Sequence, residues 1–197
     1  MLPQLQASRK TIFIALAIGV AAACIVIFEG LYQQAKSAAI TKLNQQQMIY
    51  ARQAARGIEE FFATWTGNLN ALAQMHAVVA DNREGNAVLK LFYDTNQARI
   101  MEITRVDENG VIRDDFPDSK AVGLDISHQQ HIVALLRDHK PVISEVFRTI
   151  EGIDAIALHV PVFQGTEFKG SVDILVDFKS LAKRYLAGAD QPDHECV

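Results

Sequence analysis

Residues 100–178 decide the fold of this chain, and they begin with the sequence IMEITRVDENGVIR at positions 100–113. Apolar and polar residues alternate from Ile100 to Val106, which predicts a β-strand with one buried face. A second apolar run follows at residues 111–113. Between the two runs lies Asn109-Gly110, whose residues tolerate positive φ and which is a strong hairpin signal. The stretch therefore predicts an antiparallel hairpin.

The remainder of this segment adds one helix and three strands. The helix is expected at about His128 to Asp138, after a polar loop. Strand-like apolar runs then cover residues 142–147, 155–160 and 170–176. Two strands, a helix and three sequential strands predict an α+β domain, in which a five-stranded antiparallel sheet carries helices on one side.

Several residues and short motifs in this segment resemble those of a known family. In chain order they are Asp107, Asn109 and Gly110, then residues 123–127 (GLDIS), 142–144 (VIS) and 160–162 (VPV), and finally Gly170 and Asp177. Their order and spacing resemble a Cache domain, the PAS-like extracytoplasmic sensor module of bacterial receptors. The resemblance implies a PAS-like fold similar to the membrane-distal lobe of a double-Cache receptor, with a small-molecule pocket.

The N-terminal region carries the signature of a membrane anchor. Residues 11–28 read TIFIALAIGVAAACIVIF and contain no charge, and about 20 apolar residues are needed to span a bilayer. Arg9 and Lys10 precede the run and Glu29 follows it. Because basic residues remain on the cytoplasmic side, we predict a single-pass inner-membrane protein. Its N-terminus is inside and everything after residue 29 is periplasmic or extracellular.

Two other interpretations of the apolar run remain open. Residues 21–23 (AAA) offer a signal-peptidase site, and Cys24 follows Ala23 as in a lipoprotein. Either cleavage would leave the apolar residues 25–28 at or near the new N-terminus, which favours an uncleaved anchor. The only other cysteine is Cys196, so the chain has no disulfide framework that would indicate its compartment.

A long helix is predicted between the anchor and the first strand. From residue 31 to residue 80 there is no proline, and most residues are good helix formers. The first half is rich in glutamine, which suits a solvated stalk or a polar seam between two copies of the chain. We therefore expect a homodimer formed through this helix. The second half carries an apolar stripe with Trp65, which we expect to pack on the sheet as core.

Shorter helices are expected at about residues 87–96 and 180–186. Together these features predict five regions: a cytoplasmic N-terminus (1–10), a transmembrane anchor (11–29), a stalk helix (30–81), the sensor lobe (82–187) and a polar tail (188–197).

Composition and motifs argue against several classes of function. The net charge is −4, and no cluster of Lys or Arg occurs beyond the first ten residues, so no nucleic-acid partner is expected. The sequence contains no phosphate-binding glycine loop, nucleophile elbow, HExxH or CxxC motif. Acid pairs such as Asp114-Asp115 are adjacent and point in different directions, so we interpret them as solvated surface. No catalytic residue and no cofactor are predicted.

His128 and His131 allow two interpretations. Three residues apart on a helix, they would share a face and could bind a metal with Asp125, His159 or Asp115. Alternatively, Ser127 caps the helix and both histidines are polar residues of its first turn. The second interpretation is preferred, so no metal site is predicted.

Seven residues are predicted to line a ligand pocket. His159 and Asp173 are polar residues inside apolar strands, and neighbouring strands would place them close together. The full set is Arg113, Gln129, His131, Ser144, Arg148, His159 and Asp173.

The resemblance also limits the identity of the ligand. Amino-acid-binding Cache domains carry an arginine, an aromatic pair and a later aspartate in the pocket. Aligning residues 123–127 places Gln129 at the arginine position, His131 and Ile132 at the aromatic pair, and Leu175 at the aspartate position. We therefore expect a small molecule other than an amino acid held in that mode, or an empty pocket.

The sequence thus predicts the signal-input region of a receptor such as a histidine kinase, diguanylate cyclase or chemoreceptor. Receptors of this kind continue into further domains, so both a piece of a longer receptor and a stand-alone anchored sensor fit the sequence. Two other functions remain open: a ligand-free dimerisation or partner-docking protein, and a zinc hydrolase built on His128 and His131.

Overall fold

The computed structural model describes residues 9–149 and 151–186, with side chains from residue 12 onward. The chain forms two compact units, residues 1–50 and residues 51–197. The first part of the predicted cytoplasmic segment and the predicted polar tail lie outside the described residues.

Helix α1 spans Arg9–Ala73 without interruption. Every described residue from 12 to 53 is exposed, and α1 is the one described helix that is long and apolar enough to cross a membrane. The helix was expected to continue to about residue 80, but it ends at Ala73. The backbone of Met75 is extended (φ −68°, ψ 127°) and begins a separate short helix, α2 (His76–Val79).

The sheet has six antiparallel strands. They are β1 (Glu102–Val106), β2 (Ile112–Phe116), β3 (Val142–Ile143), β4 (Phe147–Arg148), β5 (Asp154–Gln164) and β6 (Glu167–Asp177). Their order is β2-β1-β6-β5-β3, with β4 also paired to β5. The predicted β1–β2 hairpin is confirmed. The strand expected at 142–147 is divided into β3 and β4, and between them the Ser144 hydroxyl accepts the Ala157 N–H at 2.9 Å.

The second unit contains three further α-helices: α3 (Arg83–Asn96), α4 (Gln130–Asp138) and α5 (Phe178–Leu186). A short 3-10 helix lies at Ser119–Ala121. Helix α3 begins four residues earlier than expected, because Asn82 Oδ1 accepts the N–H groups of Glu84 and Gly85. The expected cap of α4 at Ser127 is wrong. Gln129 is the N-cap of that helix and makes no side-chain cap bond.

Strand alternation gives the sheet one apolar and one polar face. The apolar face includes Ile103, Leu158 and Ile174, which pack with Trp65 and Leu69 of α1 in the core. Trp65 is therefore a core residue, as expected. Helix α4 lies on the opposite face, where His131 stacks on His159. Helices therefore lie on both faces of the sheet, whereas they were expected on one face only. On the polar face, α4 covers part of the sheet and the neighbouring loops face the remainder.

The β1–β2 turn is held against the loop that precedes α4. Asp107 Oδ1 accepts the N–H groups of Asn109 and Val111 at 2.9 Å each. Gly110 has a φ of +83°, and a Cβ atom at this position would lie 2.8 Å from Ser127. Only glycine both adopts a positive φ without strain and has no Cβ atom to clash with Ser127. The turn therefore fixes the end of this loop, around Ser127, next to the start of α4.

Candidate functional site

A cavity of about 420 Å³ opens on the polar face of the sheet. Its floor is formed by strands β1, β2, β5 and β6. Its walls come from the loop before α4, from His131 in the first turn of α4, and from residues 147–149 and 151. The volume lies within the range typical of small-molecule sites, about 300–1,000 Å³.

The floor carries a single row of polar side chains across four strands. The pairing register places Asp115 of β2 opposite Thr104 of β1. Thr104 lies opposite Asp173 of β6, which lies opposite His159 of β5. All four line the cavity, and their exposed fractions are 4% or less. The four side chains of this row are therefore shielded from bulk solvent, and they face the cavity.

Several polar atoms of this row have no hydrogen-bond partner in the described part of the chain. They are Asp115 Oδ1, Asp173 Oδ1 and both ring nitrogens of His159. His159 Nδ1 and Asp173 Oδ1 are 3.3 Å apart, within ion-pair distance, but they are not aligned as a hydrogen bond. Leaving a buried polar group unpaired costs about 1–3 kcal/mol. The row is thus a set of donors and acceptors without protein partners.

Two carboxyl groups of the cavity have strongly raised pKa values. Burial, followed by the charge of Asp115, raises the pKa of Glu102 to about 7. Burial also raises the pKa of Asp115 to about 6, opposed by the hydrogen bond from the Ala121 N–H. Asp173 and Glu151 contribute repulsion to both. The cavity therefore concentrates carboxyl groups in a place where their negative charge is poorly solvated.

Three rings form one wall of the cavity. The His131 ring lies between the Phe147 ring, 5.3 Å away with an interplanar angle of 30°, and the His159 ring, 5.0 Å away with an angle of 24°. Burial and the neighbouring His159 lower the pKa of His131 to about 4. His131 is consequently a neutral ring at physiological pH, and three rings lie beside the carboxyl groups of the floor.

Residues 66–177 match a protein family described as "HK/GC/Chemotaxis protein-like, sensor domain". The match covers more than half of the chain and includes the whole sheet and the cavity. The chain belongs to this family. The predicted resemblance to Cache-type sensors is confirmed, and the chain is a receptor sensor domain with an N-terminal candidate membrane helix.

Solved structures agree with this sensor fold. An extracellular ligand-binding receptor from Desulfohalobium retbaense is 28% identical over 72% of this chain, with a TM-score of 0.63. The ligand-binding domain of the Pseudomonas aeruginosa amino-acid chemoreceptor PctC, solved with GABA, is 15% identical over 69% of this chain (TM-score 0.57). That of the Campylobacter jejuni chemoreceptor Tlp3, solved with L-norvaline, is 15% identical over 77% (TM-score 0.59).

This chain spans 27%, 62% and 63% of those three structures, respectively. A search of curated protein sequences found no significant match. At 15% identity, the two chemoreceptors show a shared fold.

The sensor domain brings five of the seven predicted pocket residues together at the cavity: Gln129, His131, Arg148, His159 and Asp173. The other two lie elsewhere. Arg113 is about half exposed and pairs with Asp107 at 2.8 Å, outside the cavity lining. Ser144 donates to the Glu145 carbonyl and accepts from Ala157, so it supports the backbone between β3 and β4.

The structure does not support a shared metal for His128 and His131. Both histidines line the cavity, but His128 precedes α4, so the helical spacing on which a shared site was based does not apply to it. Within the described residues, no group of three or more His, Cys, Asp or Glu side chains is placed to hold a metal ion. Leu175 lines the cavity as the alignment implied, and Asp173, two residues earlier on the same strand face, adds a carboxylate there.

The residues of the site that were not predicted include the three polar floor residues Glu102, Thr104 and Asp115. The alternation in β1 placed Glu102 and Thr104 on the polar face, but nothing in the sequence showed that this face is covered. Asp115 was interpreted as solvated surface, and that interpretation is wrong because the residue is only 4% exposed. Its position became evident only from the pairing with Thr104.

Proposed function

We propose that the cavity of this sensor domain binds a small molecule, and that the domain is the signal-input region of a receptor. The observation that carries the proposal is the row of buried polar atoms without protein partners. Buried polar groups in folded proteins are almost always hydrogen-bonded. A bound molecule that pairs with them would remove the cost of leaving them unpaired.

We further propose that α1 anchors the chain in the inner membrane with the sensor domain outside. The uncharged run at 12–28 and the basic pair Arg9-Lys10 support this orientation. A ligand can shift a conformational equilibrium only by its difference in affinity for the two states. In this proposal the two states differ in the packing of α1 in a homodimer, whose seam is the glutamine-rich first half of the stalk.

The test uses the full chain in detergent micelles, with thermal unfolding followed by fluorescence. Trp65 is the only tryptophan in the sequence and lies in the core of the sensor domain, so its emission reports this domain. A panel of cationic, anionic, zwitterionic and neutral metabolites would be screened. A ligand present at 100 times its Kd stabilises by about 2.7 kcal/mol, which raises the Tm by about 5–10 °C in a chain of this size.

Two adjacent glutamines provide matched variants. Gln129 lines the cavity and Gln130 does not. The ligand-induced rise in Tm should decrease in Gln129→Ala and persist in Gln130→Ala. A panel in which no compound of any class raises the Tm would contradict the proposal. A concentration-dependent dimer in that case would favour the ligand-free docking function instead.

A further inference from the structure

We infer that the ligand of this cavity is an organic amine that carries a positive charge and no carboxylate. The inference rests on the proposed sensory function and adds the chemical class of the ligand. The observation behind it is the placement of Asp115 and Asp173, two buried carboxylates with unpaired oxygens, on either side of Thr104 in the cavity floor.

The charges around the cavity are strongly unbalanced. Five carboxyl side chains line it: Glu102, Asp115, Asp125, Glu151 and Asp173. The only Lys or Arg among the described lining residues is Arg148. Its side chain is 73% exposed, donates to the Gly152 carbonyl, and lies 4.0 Å from Asp154. The interior of the cavity therefore offers carboxyl groups without a buried Lys or Arg to neutralise them, and the basic ring closest to them is His159, whose Nδ1 lies 3.3 Å from Asp173 Oδ1.

The position of the carboxylates suits an ammonium group. Thr104 faces Asp115 on one side and Asp173 on the other, and adjacent strands lie about 4.8 Å apart. The two aspartate backbones are thus roughly 10 Å apart, with Glu102 two residues along β1 on the same face. An ammonium group has several N–H donors and no acceptor. It can donate to the unpaired oxygens, and charge-assisted hydrogen bonds of this kind are the strong ones.

A ligand carboxylate would find no comparable partner. Gln129 lines the cavity with an uncharged amide, and His131 is neutral because burial and the neighbouring His159 lower its pKa to about 4. Like charges placed close together in a poorly solvated site repel strongly. A zwitterionic amino acid would therefore gain at the aspartates and lose at its own carboxylate. The carbon skeleton of an amine can instead pack on the ring wall formed by Phe147, His131 and His159.

The experiment is calorimetric titration of the full chain in micelles with matched sets of three compounds. One set is 1,4-diaminobutane, 4-aminobutanoate and 1,4-butanediol. A second is 2-phenylethylamine, phenylalanine and 2-phenylethanol. In at least one set, the amine should bind at least about tenfold more tightly than both partners, since a hydrogen bond to a charged group contributes about 1.5–3 kcal/mol.

The site is tested with isosteric amides. Asp173→Asn and Asp115→Asn should each weaken amine binding by about tenfold or more, whereas Asp94→Asn should not. Asp94 is an exposed residue of α3 that pairs with Lys90, so it controls for the loss of one negative charge. If Asp173→Asn does not fold, Asp115→Asn and Glu102→Gln provide the same test, with folding checked by Trp65 fluorescence.

Each outcome decides the inference. Tighter binding of the amino acid or the alcohol in every set would overturn it and leave the proposed sensory function intact. If the amine binds equally well to wild type and to all three cavity variants, the cavity floor is not the amine-binding site and the inference is overturned. No binding by any amine would also overturn the inference, and the metabolite panel would then decide separately whether the cavity binds a ligand of another class.

Discussion

Glu102 lines the cavity, and its protonation should be measurable through the stability of the protein. It faces carboxyl groups from several elements: Asp115 on β2, Asp173 on β6, and Asp118 and Glu151 in the surrounding loops. His131 on α4, His159 on β5 and Arg148 on β4 also line the cavity, as do Asp125 and His128 in the loop before α4. Because burial raises its pKa from 4.5 to about 7, the folded protein holds Glu102 mainly protonated below about pH 7 and mainly ionised above it.

The raised pKa predicts how stability depends on pH. A group with a raised folded pKa contributes stability that is present at low pH and lost as the pH rises through that value. The lowered pKa of His131 acts in the opposite direction, but only between about pH 4 and 6.5. From pH 6.5 to 8, the Tm of the ligand-free chain should therefore fall. The fall should be smaller in Glu102→Gln and unchanged in Glu108→Gln, an exposed control. An identical fall in wild type and Glu102→Gln would contradict this assignment.

At the residue scale, the sequence predicted part of the site. His159 and Asp173 were paired correctly because each interrupts an apolar run, which is visible without a structure. Glu102 and Asp115 lie in stretches of ordinary polarity, and their burial depends on loops that are distant in sequence. Arg113 was assigned to the pocket, but the register shift between Arg105 and Val106 leaves it without a partner residue on β1. Its side chain pairs with Asp107 instead.

At the scale of elements, the packing of α2 against α3 depends on one glycine. A Cβ atom at Gly85 would overlap the backbone carbonyl oxygen of Ala77, whereas Gly67 of α1 has no atom within 4 Å of that position. Both glycines are helical. Gly67→Ala should stabilise the chain by about 0.5–1 kcal/mol through helix propensity. Gly85→Ala should destabilise it by about 1–3 kcal/mol, as expected for overpacking.

Chemical denaturation followed by Trp65 fluorescence measures both changes. The opposite signs are the decisive result, because helix propensity alone predicts stabilisation at both positions. Equal stabilisation by the two substitutions would mean that α2 and α3 are not packed as described.

Element types were more predictable from the sequence than element boundaries. The hairpin, the long helix and the last two strands follow from periodicity and from Asn109-Gly110. The end of α1 at Ala73 does not, since residues 74–80 contain no proline or glycine. The helix ends where the chain turns at Met75 to pack α2 against α3. Tertiary contacts therefore decide this boundary against the local propensity.

At the scale of the whole molecule, the candidate membrane helix and the sensor domain differ in how their apolar residues are covered. The exposed apolar residues from Ile12 to Phe28 belong to a helix that is long and apolar enough to cross a membrane. The sensor domain buries its own core and carries its polar cavity on the opposite face of the sheet. If the cavity takes a ligand from outside the cell, the orientation of α1 in the membrane becomes a requirement of the proposed function and not only a consequence of the positive-inside rule.

Cysteine labelling in intact cells tests this orientation. In a background with Cys24→Ala and Cys196→Ser, one variant carries Thr166→Cys, at the exposed turn between β5 and β6, and another carries Gln4→Cys. A membrane-impermeant maleimide should label Thr166→Cys in spheroplasts and should label Gln4→Cys only after lysis, because Arg9 and Lys10 hold the N-terminus inside. Reversing both charges with Arg9→Glu and Lys10→Glu should reduce labelling at position 166. Labelling of Gln4→Cys before lysis would place the N-terminus outside, and the cavity would then face the cytoplasm.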